Sequence, residues 1–255
     1  MKVFPVRTRE TNLMYIVVGR EKNLILVDAI DIPAIKECLS SNKIEYSSTI
    51  ALTTHSHPDH NSGNPKLEEH FPGITIYAGS SRSYAHHLSK DREAFVFGDF
   101  SVTPIHTPCH TLDSLSYLVR GSSGEESAIF VGDTLFYLGC GKFFEGPAEM
   151  MAKSLQAITS VPEQTTVYYG HNYNLANLQF RLEFAPSPNL PEKEFLTVGE
   201  EKKWNLFINT DLLATRPEFS ALSPVARLKK LRELKDAWNP GSSAASPAPR
   251  HPQGL

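Results

Sequence analysis

Short apolar runs broken by turn residues fill the first two thirds of the chain. Residues 14–18 and 24–27 are two such runs, and the polar stretch 19–23 between them suits a hairpin. Over 32–41 the period changes: Ile32, Ile35 and Leu39 fall at helical spacing. A strand is predicted over 48–53, a helix over 61–70 and a strand over 74–77. Further strands follow over 99–105 and 115–119. The apolar run 128–131 stops at Gly132-Asp133, and 165–169 stops at Gly170-His171. Between these two strands, 149–159 places Met150, Leu155 and Ile158 on one helix face. From about residue 174 the pattern turns helical and charge-rich. Ser223-Pro224 makes a good helix start, with a capping serine and a proline at the first helical position. Val225, Leu228, Leu231 and Leu234 recur along that helix, and Asn239-Pro240-Gly241 ends it. The expected organisation is an α/β unit over 1–173, a small helical unit over 174–238, and a disordered tail over 239–255 rich in Ser, Ala and Pro.

Composition narrows the class. A chain of 255 residues suits one large domain with a small appendage, and 40% hydrophobic content is enough for a core. The net charge of -3 gives no reason to expect nucleic acid or a membrane as main partner. No apolar run approaches the ~20 residues that span a bilayer, and residues 1–10 lack the apolar core of a signal peptide. Cys38, Cys109 and Cys140 are few, odd in number and widely spaced. A reducing, cytoplasmic setting is the expectation.

The chemistry concentrates in Thr54-His55-Ser56-His57-Pro58-Asp59-His60, an H-x-H-x-D-H pattern at the end of a predicted strand. Imidazole and carboxylate at this density suit a divalent ion: zinc first, with iron or manganese as alternatives. Three further candidates interrupt apolar strands at their tips: His110 in Thr107-Pro108-Cys109-His110-Thr111, Asp133 in Gly132-Asp133-Thr134, and His171 in Gly170-His171. With the cluster they supply five histidines and two aspartates, a set that suits two ions. His70, His86, His87, His106 and His251 have no complementary partner at ligand spacing and read as surface or core residues.

The order of these ligands resembles the metallo-β-lactamase superfamily. That resemblance implies an α+β fold, a four-layer αβ/βα sandwich carrying the metals at one edge. It implies His55, His57 and His110 on one ion, Asp59, His60 and His171 on the other, and Asp133 bridging both. Asp59 and Asp133 are then the catalytic carboxylates. Asp28, ending the 24–27 strand, resembles a supporting acid of this fold, and an ordinary turn aspartate reads as well. Cys109 is expected as a small packed side chain where relatives carry glycine.

A second motif narrows the family. Gly132-Asp133-Thr134-Leu135-Phe136 runs on to Gly139-Cys140-Gly141-Lys142-Phe143-Phe144-Glu145-Gly146, similar to the GDTLF…GCGK-x-x-EG signature of glyoxalase II, the hydroxyacylglutathione hydrolases. Thr107 to Thr111 resembles that family's TPGHT, and Gly170-His171-Asn172-Tyr173 its GHEY. Arg232 and Lys235 match an R-x-x-K pair on the family's last helix. The likeness covers about residues 1–238. It implies hydrolysis of a glutathione thioester, S-D-lactoylglutathione giving glutathione and D-lactate, by a hydroxide between two divalent cations. Lys142, Arg232 and Lys235 would meet the carboxylates of glutathione. Tyr173 would donate to its peptide, and Phe144 would line the pocket. The partner is thus a small molecule and the chain a monomer. Some positions depart from the family. Asn172 replaces a glutamate, Phe144 lacks a hydroxyl, 205–209 reads Asn-Leu-Phe-Ile-Asn in place of NPFMR or NPFLR, and the stretch between Phe184 and Ser223 is short. Two alternatives follow: a mononuclear iron sulfur dioxygenase of the same fold, and a catalytically weak relative that binds glutathione or metal.

Overall fold

The computed structural model describes residues 1–122, 124, 126–187 and 189–239. One sheet takes its strands in chain order: β1 (Lys2–Thr8), β2 (Asn12–Val18), β3 (Asn23–Val27), β4 (Ser48–Leu52), β5 (Thr75–Ala78) and β6 (His87–Leu88). The strands β7 (Phe95–Phe97), β8 (Phe100–His106), β9 (Leu115–Gly121) and β10 (Ser127–Gly132) belong to a second sheet. A small hairpin of β11 (Leu135–Phe136) and β12 (Gly139–Cys140) follows, and β13 (Thr166–Tyr169) completes the second sheet in the order β13-β10-β9-β8-β7. The helices are α1 (Ile32–Ser41), α2 (Pro58–Asn61), α3 (Leu67–His70), α4 (Ala148–Thr159), α5 (Asn174–Phe184), α6 (Val198–Trp204), α7 (Pro217–Ser220) and α8 (Pro224–Ala237).

Side-chain alternation explains the layers. Along β2, Met14 and Ile16 face α1 and α3, packing with Leu24, Leu26, Ile35, Leu39, Leu67 and Phe71. Leu13, Tyr15 and Val17 point the other way, against Phe100, Val102, Tyr117, Val119 and Phe130 of the second sheet. On β10, Phe130 joins that middle core, whereas Ile129 and Val131 join a third one with α4, α5, α6 and α8. Three cores between four layers give an α+β sandwich of helix, sheet, sheet and helix. Strands buried on both faces read as continuous apolar runs, which is why 14–18 and 128–131 stand out in the sequence. The helices after residue 174 do not carry a core of their own: Phe180, Val198, Leu228 and Leu231 share one with Met151, Leu155, Ile158 and Val167.

Some predicted elements change. The helix expected over 61–70 is broken into α2, a 3-10 turn at Asn64–Lys66, and α3. Pro65 has no N–H to continue an α-helix, and at Gly63 a β-carbon would lie 2.0 Å from the Ala29 carbonyl oxygen, so the chain turns there against the β3–α1 loop. Strands β1, β6, β7 and the hairpin of β11 and β12 lie outside the expected elements. They are edge or two-residue strands with little apolar periodicity to announce them. The predicted helix from Ser223-Pro224 is α8, capped by the Ser223 hydroxyl on the Ala226 N–H, and its end at 239–241 and the tail fall largely outside the described residues.

The topology gathers strand ends. Strands β3, β4 and β5 are parallel, as are β10 and β13. Their carboxyl ends deliver Asp28, His55, Asp133 and His171 to one edge of the sandwich, where loops of open sheets converge on ligands. The two sheets are stitched there by the Leu13 N–H on the Gly170 carbonyl at 2.9 Å and a bridge between Asn12 and His171.

Candidate metal centre

His55 and His57 leave β4 in an extended loop, and Asp59 and His60 sit in the first turn of α2. His57 Nδ1 lies 3.1 Å from both His55 Nε2 and His110 Nε2. His60 Nε2 lies 3.2 Å from His171 Nε2 and 3.7 Å from Asp59 Oδ2, and His171 Nε2 lies 3.4 Å from Asp59 Oδ2. Asp133 stands between the groups: its Oδ1 is 3.3 Å from His60 Nε2, and its Oδ2 is 3.5 Å from His110 Nε2 and 3.3 Å from His171 Nε2. All seven expected ligands therefore meet. They form three overlapping groups able to hold a metal: His55, His57 and His110; His55, His60 and Asp133; Asp59, His60 and His171.

Proton positions follow from the opposite ring edges. His60 Nδ1 donates to Asp28 Oδ2 at 2.8 Å, so its Nε2 offers a lone pair. His110 Nδ1 donates to the Lys142 carbonyl at 3.1 Å, with the same result. The Thr54 hydroxyl gives its proton to Asp28 Oδ2 at 2.7 Å and accepts from His55 Nδ1 at 3.1 Å. His171 Nδ1 meets the Thr11 hydroxyl at 3.0 Å. Such partners fix the tautomer of metal-binding histidines. With the inward nitrogens deprotonated, as metal binding requires, lone pairs would face one another at 3.1–3.2 Å, close to the ~3.3 Å edge of a tetrahedron with metal–nitrogen bonds of about 2.0–2.1 Å. Asp133 Oδ1 is buried and has no hydrogen-bond partner. Converging lone pairs and an orphaned carboxylate oxygen repel unless a cation lies between them, so the donor set fits divalent metal.

The charge balance agrees. Burial opposes ionisation of Asp133, but positive charge beside it, at His60 first and then at His171, outweighs this and holds the carboxyl far below its ordinary range. That charge is protons on the two rings, His60 raised and His171 raised to about 9 against burial by Asp133, and a divalent cation would take their place. Asp59 is held low chiefly by its hydrogen bond with His171. Burial pushes His55 well down and His110 down, which keeps both imidazoles neutral.

Close approach sets the backbone here. At Gly170 a β-carbon would fall 2.3 Å from Asp133 Oδ1 and 2.9 Å from His60 Cε1. Cys109 holds φ at +144°, a conformation suited to glycine. It is fully buried with Sγ 3.4 Å from the Gly146 carbonyl, a packed side chain apart from the metal groups. Asp28 proves to be a supporting acid, accepting from the Thr54 N–H at 2.8 Å as well. Thr11 and Asn12 escaped sequence reading. Asn12 holds Asp59 through its carbonyl at 2.9 Å and its carboxylate at 3.3 Å. Its one signal is a buried amide at the head of an apolar strand.

The expected substrate residues surround the site unequally. Phe144 is 58% exposed and sets its ring edge-on to His57 and His110 at 6.0 and 5.1 Å. Tyr173 stacks flat on His171 at 4.9 Å. Lys142 is exposed, its Nζ 5.5 Å from the Phe144 ring. From α8, Arg232 Nη1 donates to the Cys140 carbonyl at 2.9 Å and Nε to Asp236 Oδ1 at 3.0 Å. Lys235 Nζ meets the Ala176 carbonyl at 3.3 Å, between the rings of Phe180 and Trp238. The helix therefore places Arg232 and Lys235 beside the segments that carry Lys142 and Tyr173. His70, His86, His87 and His106 stay out of the cluster, and His251 lies outside the described residues.

Comparison with known proteins decides the family. Residues 49–171 match the metallo-beta-lactamase superfamily. A probable hydroxyacylglutathione hydrolase of Schizosaccharomyces pombe is 37% identical over 81% of this chain and 84% of its own length. The cytoplasmic hydroxyacylglutathione hydrolase of Arabidopsis thaliana is 33% identical over 93% of this chain and 99% of its own length. The chain belongs to the hydroxyacylglutathione hydrolase family. Among solved structures, ETHE1 from Myxococcus xanthus superimposes with a TM-score of 0.65 at 21% identity, covering 93% of this chain and 99% of that one, a likeness of fold. Within the family frame, the α+β metallo-β-lactamase sandwich holds. Among the described residues no helix is long and apolar enough to cross a membrane.

Proposed function

We propose that this protein is a thioester hydrolase that cleaves glutathione thioesters, S-D-lactoylglutathione among them, to glutathione and a 2-hydroxy acid. The observation that carries the reading is the convergence of His55, His57, Asp59, His60, His110, Asp133 and His171 in a chain whose relatives are named for this reaction. His55, His57 and His110 would hold one divalent cation, Asp59, His60 and His171 a second, and Asp133 would face both, with zinc the metal of choice for nitrogen and oxygen donors. When bound, the cations supply Lewis acidity and acidify a water for attack on the carbonyl. The chain's own groups do the rest. Asp28, Thr54, Thr11 and the Lys142 carbonyl hold the imidazoles in the tautomers that turn lone pairs inward. Burial, then Asp133, raises the Tyr173 hydroxyl, so it stays protonated and can donate to the peptide of the substrate. Phe144, edge-on to His57 and His110, would line the mouth of the pocket. The departing thiolate is a weak base, so no strong general acid is needed. Lys142, Arg232 and Lys235 supply the cations for the glutathione carboxylates, with 174–238 as the substrate-binding unit of a cytoplasmic monomer.

Hydrolysis of lactoylglutathione by metal-loaded protein, beside a small thioester without glutathione, tests the reading. Oxygen uptake on glutathione persulfide without thioester hydrolysis would overturn it in favour of the dioxygenase. A pH profile adds a second check. Burial, and then the Arg232 charge, push Lys235 down to about 8. Its ammonium is present below that pH and lost above it. KM for the glutathione thioester should therefore climb above pH 8, by at most about tenfold per unit. The small thioester should show no such rise, and a flat KM for both up to pH 9.5 would remove Lys235 from the pocket.

A further inference from the structure

Glu201 lies on α6, outside the metal cluster, yet it is completely buried. Its carboxylate takes three hydrogen bonds. Oε1 accepts from the Tyr169 hydroxyl at 2.7 Å and from the Leu138 N–H at 3.3 Å, and Oε2 accepts from Asn205 Nδ2 at 2.7 Å. Two of the donors belong to segments of the site, and the third is bonded to one of them. Tyr169 ends β13, two positions before His171. Its carbonyl is pinned from the other side by the Tyr15 hydroxyl at 2.6 Å. Leu138 is the turn of the hairpin that runs from Asp133 to Lys142, held at φ +51°. Asn205 also donates to the Gly139 carbonyl at 3.0 Å in that same hairpin.

We infer that Glu201 is a positioning residue for the metal centre, clamping the strand end that carries His171 to the hairpin that follows Asp133. The inference rests on the metal-centre reading above and extends it: the helices after residue 174 set the ligand geometry as well as the substrate pocket. Tight tolerances carry the effect to the ligands. Gly170 has no room for a β-carbon between Asp133 and His60, so a shift of Tyr169 displaces His171 against both. Burial pushes the Glu201 carboxyl up to about 7, while Tyr169, Asn205 and Leu138 pull it back toward the ionised form. All three partners are donors, so a neutral amide cannot replace the carboxylate without turning an N–H against one of them. The other acids and bases close to this network, Glu200 and the phenol of Tyr15, do not hydrogen-bond to Glu201.

Two variants test the assignment, Glu201→Gln and Tyr169→Phe, the second keeping the ring and removing only the hydroxyl. Changes to groups that orient metal ligands typically cost about 10–100-fold in metal affinity or activity. Both variants should lose about tenfold in metal affinity, read by chelator competition without substrate. Both should lose kcat to a similar degree, with KM for the glutathione thioester within about twofold of the parent. Melting temperature is followed in parallel. If both bind metal and turn over normally, whatever their melting temperatures, Glu201 is structural only and the inference fails. If KM alone rises, it acts on the substrate and the inference also fails. If Glu201→Gln does not fold, Tyr169→Phe decides alone. Because affinity is read without substrate, a chain that binds metal as expected but cleaves no glutathione thioester would remove the proposed function and leave this inference standing.

Discussion

Replacing Asp133 with alanine should strip metal from the protein and lower thioester hydrolysis by at least about 100-fold, beyond the 10–100-fold usual for groups that merely orient ligands. Among the described residues Asp133 is the one carboxylate within 3.5 Å of ring nitrogens from both groups, His60 and His171 on one side and His110 on the other. It is buried, ionised, and has an oxygen that no donor satisfies. A buried charge of this kind persists only with a cation beside it. Removing it takes away the shared anion and leaves the lone pairs of His60, His110 and His171 facing one another. Metal analysis should show fewer equivalents per chain than in the parent, and the residual activity should respond weakly to added zinc. Asp133→Asn, which keeps the shape and loses the charge, should fall close to the alanine variant. Unchanged metal occupancy and turnover in both would refute the centre drawn here.

Replacing Arg232 with alanine should raise KM for a glutathione thioester by about 10- to 150-fold, the equivalent of roughly 1.5–3 kcal/mol for a hydrogen bond to a charged group. Metal content should stay as it was. A small thioester without the glutathione carboxylates should hardly notice the change. The structure sharpens the alternative. Arg232 already donates to the Cys140 carbonyl and to Asp236, leaving only part of its five-donor fork for a ligand. If both substrates suffer equally, the residue serves to hold the segment of Cys140 to Lys142, and Lys142 and Lys235 are left to meet the carboxylates. If neither suffers, α8 presents a surface that binds nothing at this site.

Much of the site was legible because metal ligation demands particular atoms. His55, His57, Asp59 and His60 are crowded into one loop and turn, and few other arrangements need that chemistry at that spacing. His110, Asp133 and His171 were visible as polar residues at the tips of apolar strands. Strands buried on both faces, such as β2 and β10, also announced themselves by unbroken apolar runs. Edge strands did not. β1 alternates its exposure around Pro5 and carries Lys2 and Arg7, so its pattern is faint. The residues that hold the candidate ligands in place were fainter still. Thr11, Asn12 and Thr54 are ordinary polar side chains in sequence, and their roles come from who stands opposite.

By itself the sequence determined the candidate ligand set, the apolar runs of the doubly buried strands, and the family signature from Gly132 to Gly146, because each is written in the identity and local spacing of residues. Only the tertiary structure decided which carboxylate sits between the histidine groups, which ring nitrogens face inward, and that the helices after residue 174 share a core with α4 and reach back through Glu201 and Arg232 to the loops of the candidate metal centre. Those facts depend on contacts between residues as far apart as His60 and His171, Tyr169 and Glu201, or Cys140 and Arg232. Hydrogen bonds act over about 3 Å. Separations of this kind along the chain carry no periodicity that would reveal such partners before the sheets are stacked.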